Sequence, residues 1–256
     1  MIILDYPRND TKYIYLTYSL AYLAGHVTNQ LIDHIDVIGG PAIQSWPVVK
    51  GVFKSLVILE SGVNSVKLKH GYYSKTVVLV YSPPSSLYYI QPLYVICKNS
   101  DGIFQSPAGK DNSIRSAVRR IGLGCALLQT FTAVNMEDYN LGAATFTFPI
   151  DETFNLPQCN IFHSSYTAEE MYSMSTHELW RNLAKEIAKA YDHNFNHVKY
   201  LAFISCTSYD GTNYNDRWRH SDVIRATKGY IAVGKVLYAS PMCVQLRVCY
   251  HSYSYC

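Results

Sequence analysis

The hydrophobic period of this chain changes once, across Tyr81–Pro92, "YSPPSSLYYIQP". Pro83, Pro84 and the serines around them continue neither a helix nor a central strand, so this is the expected boundary between two regions. From Lys12 to about Tyr81 the apolar residues come in short runs: "TKYIYLTYSLAYLAG", which stops at Gly25, then "SWPVVKGVFKSLVIL", the break "ESGVN", "SVKLKHGYY" and "KTVVLVY". Val66, Leu68 and His70 alternate with Lys67 and Lys69, the pattern of a strand with one wet face, while "VVLV" reads as a strand buried on both sides. Such strands, spaced by Gly and Pro turns, predict a small antiparallel sandwich. Pro47 has no N–H to give a central ladder and belongs at an edge or a strand start.

Beyond the boundary the period lengthens. "PLYVICK" is a short apolar run that ends at the turn "NSDG". Ile114, Val118, Ile121, Cys125 and Leu128 then recur at spacings of four, three, four and three, the stripe of a helix begun near Asn112 or Ser113. Gly122 and Gly124 weaken that helix, which points to tight packing on their side. "ATFTFPI" and "CNIFHS" read as strands, Thr167-x-x-Glu170 as a capping box, and "VKYLAFISCTSY" as a strongly buried strand. Strand, helix, strand, helix, strand implies crossovers covering a mixed sheet. The expected class is therefore α+β: an N-terminal antiparallel β-sandwich over residues 1–84, an incomplete α/β half over 85–234, and a divergent tail over 235–256.

Composition excludes more than it selects. With 48% hydrophobic and 16% charged residues the chain is globular in type, and its 23 tyrosines favour strands and half-buried surfaces. A net charge of +3 is too small to argue for nucleic acid, and Arg115, Arg119 and Arg120 are read as the solvated face of a helix. No stretch approaches the roughly 18–20 apolar residues that cross a bilayer, and "MIILDYPRND" places charges where a signal peptide needs an apolar core, so no membrane partner and a cytoplasmic location are expected. Seven cysteines without a CxxC pair fit reduced thiols, and the Asn9-Asp10-Thr11 triplet needs a secreted context to matter.

The most suggestive stretch is "STHELWRNLAKEI", Ser175 to Ile187, which reads HExxR where a zinc peptidase has HExxH. Two neutral imidazoles one helical turn apart hold zinc there, and the glutamate takes a proton from the bound water. Here Arg181 stands at the second ligand position; a guanidinium has no lone pair to give and repels a dication. The same letters are explained by a capping box, Ser175-x-x-Glu178, followed by an apolar face at Leu179, Leu183 and Ile187.

Other candidates are weaker. His193 and His197 have the spacing of two ligands, but "DHNFNH" is rich in turn formers and has no glutamate between them. His220, with Arg219 and Asp222, and Cys206 at a strand end lack nameable partners for catalysis. There is no GxSxG elbow, glycine-rich phosphate loop or GxGxxG. No catalytic, cofactor-binding or metal-ligating residue is assigned in this chain.

Five segments, "SWPVVKGVFKSLVILESGVN", "YVICKNSDGIFQSP", "GLGCALLQTFTAVNM", "MSTHELW" and "HSDVIRATKGYIAVG", resemble in order and spacing a family of eukaryotic zinc metallopeptidases with a metzincin-like catalytic region. The likeness runs from about Lys12 to Gly234. It implies a β-sandwich ahead of a peptidase domain, peptide-bond hydrolysis, zinc in the complete family member, and a peptide or protein substrate if a full-length form exists. The family's HExxH helix is expected after a glycine-rich stretch beginning near "AVG", Ala232–Gly234. Instead "KVLYASPMCVQLRVCYHSYSYC" follows and HExxH occurs nowhere, so the expectation for this chain is no zinc and no activity. A non-catalytic protein-binding module, docking through the sandwich or an uncovered α/β face, is the alternative.

Overall fold

The computed structural model describes residues 1–7, 13–28, 32–39, 43–84, 86–104, 106, 108–191, 197–205 and 230–233. The fold is mixed α+β. Two compact units divide it, one of Met1–Tyr89 with Arg119–Gln158 and one of Ile90–Val118 with Cys159–Cys256.

In the first unit, β1 (Ile2–Tyr6), β2 (Ile14–Leu16), β3 (Leu20–Val27), β4 (His34–Ile38), β5 (Ile43–Val49), β6 (Val52–Ile58), β7 (Gly62–His70) and β8 (Tyr73–Tyr81) form one sheet, in the order β1-β3-β6-β5-β4-β7-β8-β2. Its pairs are antiparallel except β2 with β8, which is parallel. Leu23, Phe53 and Val57 from one end share a buried cluster with Ile35, Val37, Val66, Leu68, Val77 and Leu79 from the other, so the sheet curls over its own core. The bend is in β5. Residues Ile43 to Pro47 pair with β4, whereas Val48 and Val49 pair with β6. Pro47 is thus neither on an outer strand nor at a strand start; it occupies the position where the strand changes partner, a place that tolerates a missing N–H.

Two-residue hairpins close β5–β6 and β7–β8. Lys50 (φ 52°) and Gly51 (φ 79°) join β5 to β6 with both central residues at positive φ, and Gly71 (φ 54°) opens the turn from β7 to β8. β3 does not stop at Gly25. It runs on to Val27 because a Cβ at Gly25 would meet the Ile3 carbonyl oxygen and, at 2.7 Å, the Phe53 ring; the glycine marks a close approach, not an end. In "VVLV" Val77 and Leu79 are buried but Val78 and Val80 only half so, since β8 turns one face to the core.

Beyond β8 come β9 (Tyr89–Ile96), helix α1 (Ile114–Asp138), β10 (Ile150–Asp151), β11 (Leu156–Pro157), β12 (Asn160–His163), helices α2 (Ala168–Ser173) and α3 (Thr176–Tyr191), β13 (Val198–Ile204) and β14 (Tyr230–Val233). Ser113 caps α1, accepting from the Ser116 N–H at 3.2 Å. The buried side of α1 lies one position away from the expected stripe. Ala117, Gly122, Cys125, Ala126, Gln129, Thr130 and Ala133 are buried, while Ile114, Val118, Ile121 and Leu128 are only half-buried. Small residues let this helix sit close. A Cβ on Gly122 would lie 2.7 Å from the Pro157 carbonyl oxygen, whereas Gly124 faces open space, so the expected tight packing holds for the first glycine only.

Polar side chains fix α1 within its unit. Thr130 Oγ1 donates to the Leu20 carbonyl at 2.5 Å, and Gln129 Nε2 to the Phe146 carbonyl at 2.7 Å. Tyr6 donates its hydroxyl to Glu137 at 2.9 Å. The expected strand "ATFTFPI" is absent for a related reason. The segment is tied to the helix instead, Gln129 taking its Phe146 carbonyl and Thr145 Oγ1 donating to the Gln129 carbonyl at 2.6 Å, and only Ile150 enters a short ladder, opposite Pro157.

In the second unit four strands lie in the order β12-β9-β13-β14, with β12 parallel to β9 and β14 antiparallel to β13, which is the mixed sheet the crossovers predict. Leu179, Leu183 and Ile187 are buried along α3.

Candidate functional site

In the second unit several polar side chains gather past the carboxyl ends of the parallel strands β9 and β12, where ligands of α/β sheets commonly bind. Asn99, just past β9, accepts from the Ala168 N–H at 2.9 Å and donates to Glu169 at 2.9 Å, tying the loop to the start of α2. Thr167 and Glu170 form a reciprocal capping box, with the Thr167 N–H donating to Glu170 at 2.7 Å and the Glu170 N–H to Thr167 at 3.2 Å. Past β12, Glu186 from α3 accepts from Ser164 Oγ at 2.6 Å, from the Ser165 N–H at 2.9 Å and from Ser165 Oγ. A carboxylate with three such donors positions a loop. Asn99 and Glu186 carry no spacing signal in the sequence, because their partners are 69 to 70 and 21 to 22 residues away.

The HExxR helix is resolved in the same terms. Ser175 donates its N–H to Glu178 at 2.9 Å and accepts from the Glu178 N–H at 3.2 Å, the expected capping box. Hydrogen bonding to the backbone N–H and the side chain of Ser175, with Arg181 and His177 nearby, holds the exposed Glu178 carboxyl below its ordinary range. His177 is exposed, its ring 6.0 Å from that of Trp180, and Arg181 is exposed. A zinc ion does not fit these residues. One imidazole is offered, the next turn presents a permanent cation, and the glutamate is engaged with the helix end.

Elsewhere the candidates stay apart. Arg115, Arg119 and Arg120 are exposed, and the Arg119 guanidinium lies 5.8 Å from the centroid of Phe154. His197 is half-buried, one residue ahead of β13. His193, Cys206, Arg219, His220 and Asp222 lie outside the described residues. Among the described residues no group of three or more His, Cys, Asp or Glu is placed to hold a metal ion, and no helix is long and apolar enough to cross a membrane. Cys125 is a buried free thiol, pushed up by that burial to about 12, and Cys159 is also buried. Cys97 departs from the reduced-thiol expectation: it is disulfide-bonded, and its sulfur rests 3.6 Å from that of Met171.

A family model described as "Putative peptidase family" (Metallopep) matches residues 23–234. No curated protein matches the chain.

Proposed function

Since the chain belongs to the Putative peptidase family, we propose that it carries the architecture of a zinc metallopeptidase, a sheet unit followed by the first part of a metzincin-like catalytic half, without a competent zinc site of its own. The observation that carries this reading is the chemistry of α3. Where a zinc helix needs a second neutral imidazole it has Arg181, and where it needs a free base it has Glu178 bonded to Ser175. In a complete relative, zinc would polarise the scissile carbonyl and activate water; no residue described above is assigned to that step. The test is cleavage of a mixed peptide library by the purified chain, with metal content measured in parallel. No turnover with or without a chelator supports the reading. Chelator-sensitive cleavage refutes it, and loss of that cleavage in Glu178→Gln or His177→Gln would place the site on α3 itself.

A non-catalytic protein-binding role is the second reading, favoured by one feature of α1. Leu123, Leu127 and Phe131 recur four apart and are 40%, 40% and 67% exposed, an apolar line on the side opposite the buried small residues. An inactive chain whose binding of an apolar dye falls in Leu127→Asp and Phe131→Asp supports this reading. Unchanged dye binding counts against it.

A further inference from the structure

One cluster in the first unit is used neither by the core nor by the peptidase reading. His34 opens β4, with Asp33 just before it, and His70 ends β7; the antiparallel pairing of Asp36 with Lys69 brings the two strand ends together. The His34 and His70 rings lie 5.2 Å apart, centroid to centroid, at 75°. Asp33 Oδ1 is 2.5 Å from His34 Nδ1. An ionised carboxylate only accepts, so the hydrogen of neutral His34 is on Nδ1 and the lone pair is left on Nε2. This carboxylate–histidine arrangement is the one that orients imidazoles toward metals. His34 keeps a side chain 48% exposed, so the cluster is open to solvent ions.

One buried polar atom of the pair, His70 Nδ1, has no partner. Buried polar groups are nearly always satisfied, and an orphan commonly marks a water or ion that belongs there. The ring spacing, within the range of an edge-to-face contact, is also that of two imidazoles on one ion. With a metal–nitrogen bond of about 2.0–2.1 Å, an imidazole centroid lies about 3.2 Å from the metal, so two rings at a tetrahedral angle have centroids about 5.2 Å apart.

We propose that His34 and His70 bind a borderline-soft divalent ion such as Zn2+, Cu2+ or Ni2+, His34 through Nε2 and His70 through its unpartnered Nδ1, with water completing the shell. Imidazole nitrogen suits those ions and not Mg2+ or Ca2+. Asp33 is a positioning residue that acts through His34. The site is independent of the α3 helix, since it lies in the sheet unit and α3 in the other.

The test is calorimetric titration of the chelator-stripped chain with Zn2+, Cu2+ and Ni2+ near neutral pH. One binding event is expected, at least tenfold weaker in His34→Gln and in His70→Gln, and about tenfold weaker in Asp33→Asn, the usual effect of removing a ligand's carboxylate partner. His163→Gln, at an exposed histidine on β12, is expected to leave that event unchanged. Equal binding by the chain and by the His34→Gln, His70→Gln double variant overturns the proposal, as does no binding at all. If His70→Gln does not fold, the Cu2+ paramagnetic spectrum of the unmutated chain decides: splitting from two imidazole nitrogens that falls to one in His34→Gln supports the site, and an unchanged spectrum rejects it.

Discussion

Two glycines on one helix allow the packing of α1 to be measured by difference. Gly122 and Gly124 have the same chemistry, lie in the same helix, and gain about the same 0.8–1 kcal/mol of helix propensity on replacement by alanine. They differ in what the new methyl would touch. At Gly122 it meets a backbone oxygen, Pro157 O, at 2.7 Å, with Leu156 Cβ at 3.5 Å; at Gly124 nothing lies within 4 Å. Backbone cannot rotate away as a side-chain tip does, so Gly122→Ala requires the β10–β11 hairpin or the helix to shift, an overpacking cost of about 1–3 kcal/mol. Propensity cancels between the variants. Gly124→Ala is therefore expected to stabilise the chain by up to about 1 kcal/mol, and Gly122→Ala to be less stable than Gly124→Ala by about 1–3 kcal/mol. Urea unfolding followed by circular dichroism, with the slope checked for constancy, reads both values. Equal midpoints for the two variants would refute the close approach of α1 to Pro157.

Three further outcomes follow from single contacts. Thr130→Val, which removes the donor to the Leu20 carbonyl, should cost about 1–2 kcal/mol in the same urea assay, whereas Thr130→Ser should cost less. Because Glu178 has a depressed folded pKa, its contribution is fully present above the unfolded carboxylate value of about 4.3 and is lost as pH falls through the lower folded value. Glu178→Gln should therefore flatten the loss of α3 stability below about pH 4, seen as a smaller fall in melting temperature between pH 5 and 3; an unchanged slope would discount the cap. Cys125, with its thiol raised by burial, should resist iodoacetamide at pH 8 in the native chain and react once urea unfolds it, as mass spectrometry of the tryptic peptide would show.

What the sequence by itself determined is the local chemistry. Both capping boxes, at Thr167 and Ser175, were readable because cap and acceptor are three residues apart, and the inward set Val66 and Leu68 because strand side chains alternate. The unfitness of the HExxR helix for zinc was readable too, since it depends on what a guanidinium is and not on where it lies. The tertiary structure decided everything that depends on a second segment. Gly25 reads as a stop until Phe53 and Ile3 close over it, and Pro47 as an edge until β5 is seen to change partners there. The buried side of α1 was set by small residues that a hydrophobicity pattern scores weakly, because close approach selects for absence of volume. "ATFTFPI" has strand composition, yet it is tied to α1 through the Gln129 side chain on the Phe146 carbonyl and the Thr145 hydroxyl on the Gln129 carbonyl. His34 and His70 are 36 positions apart, and only the β4–β7 ladder places their rings side by side.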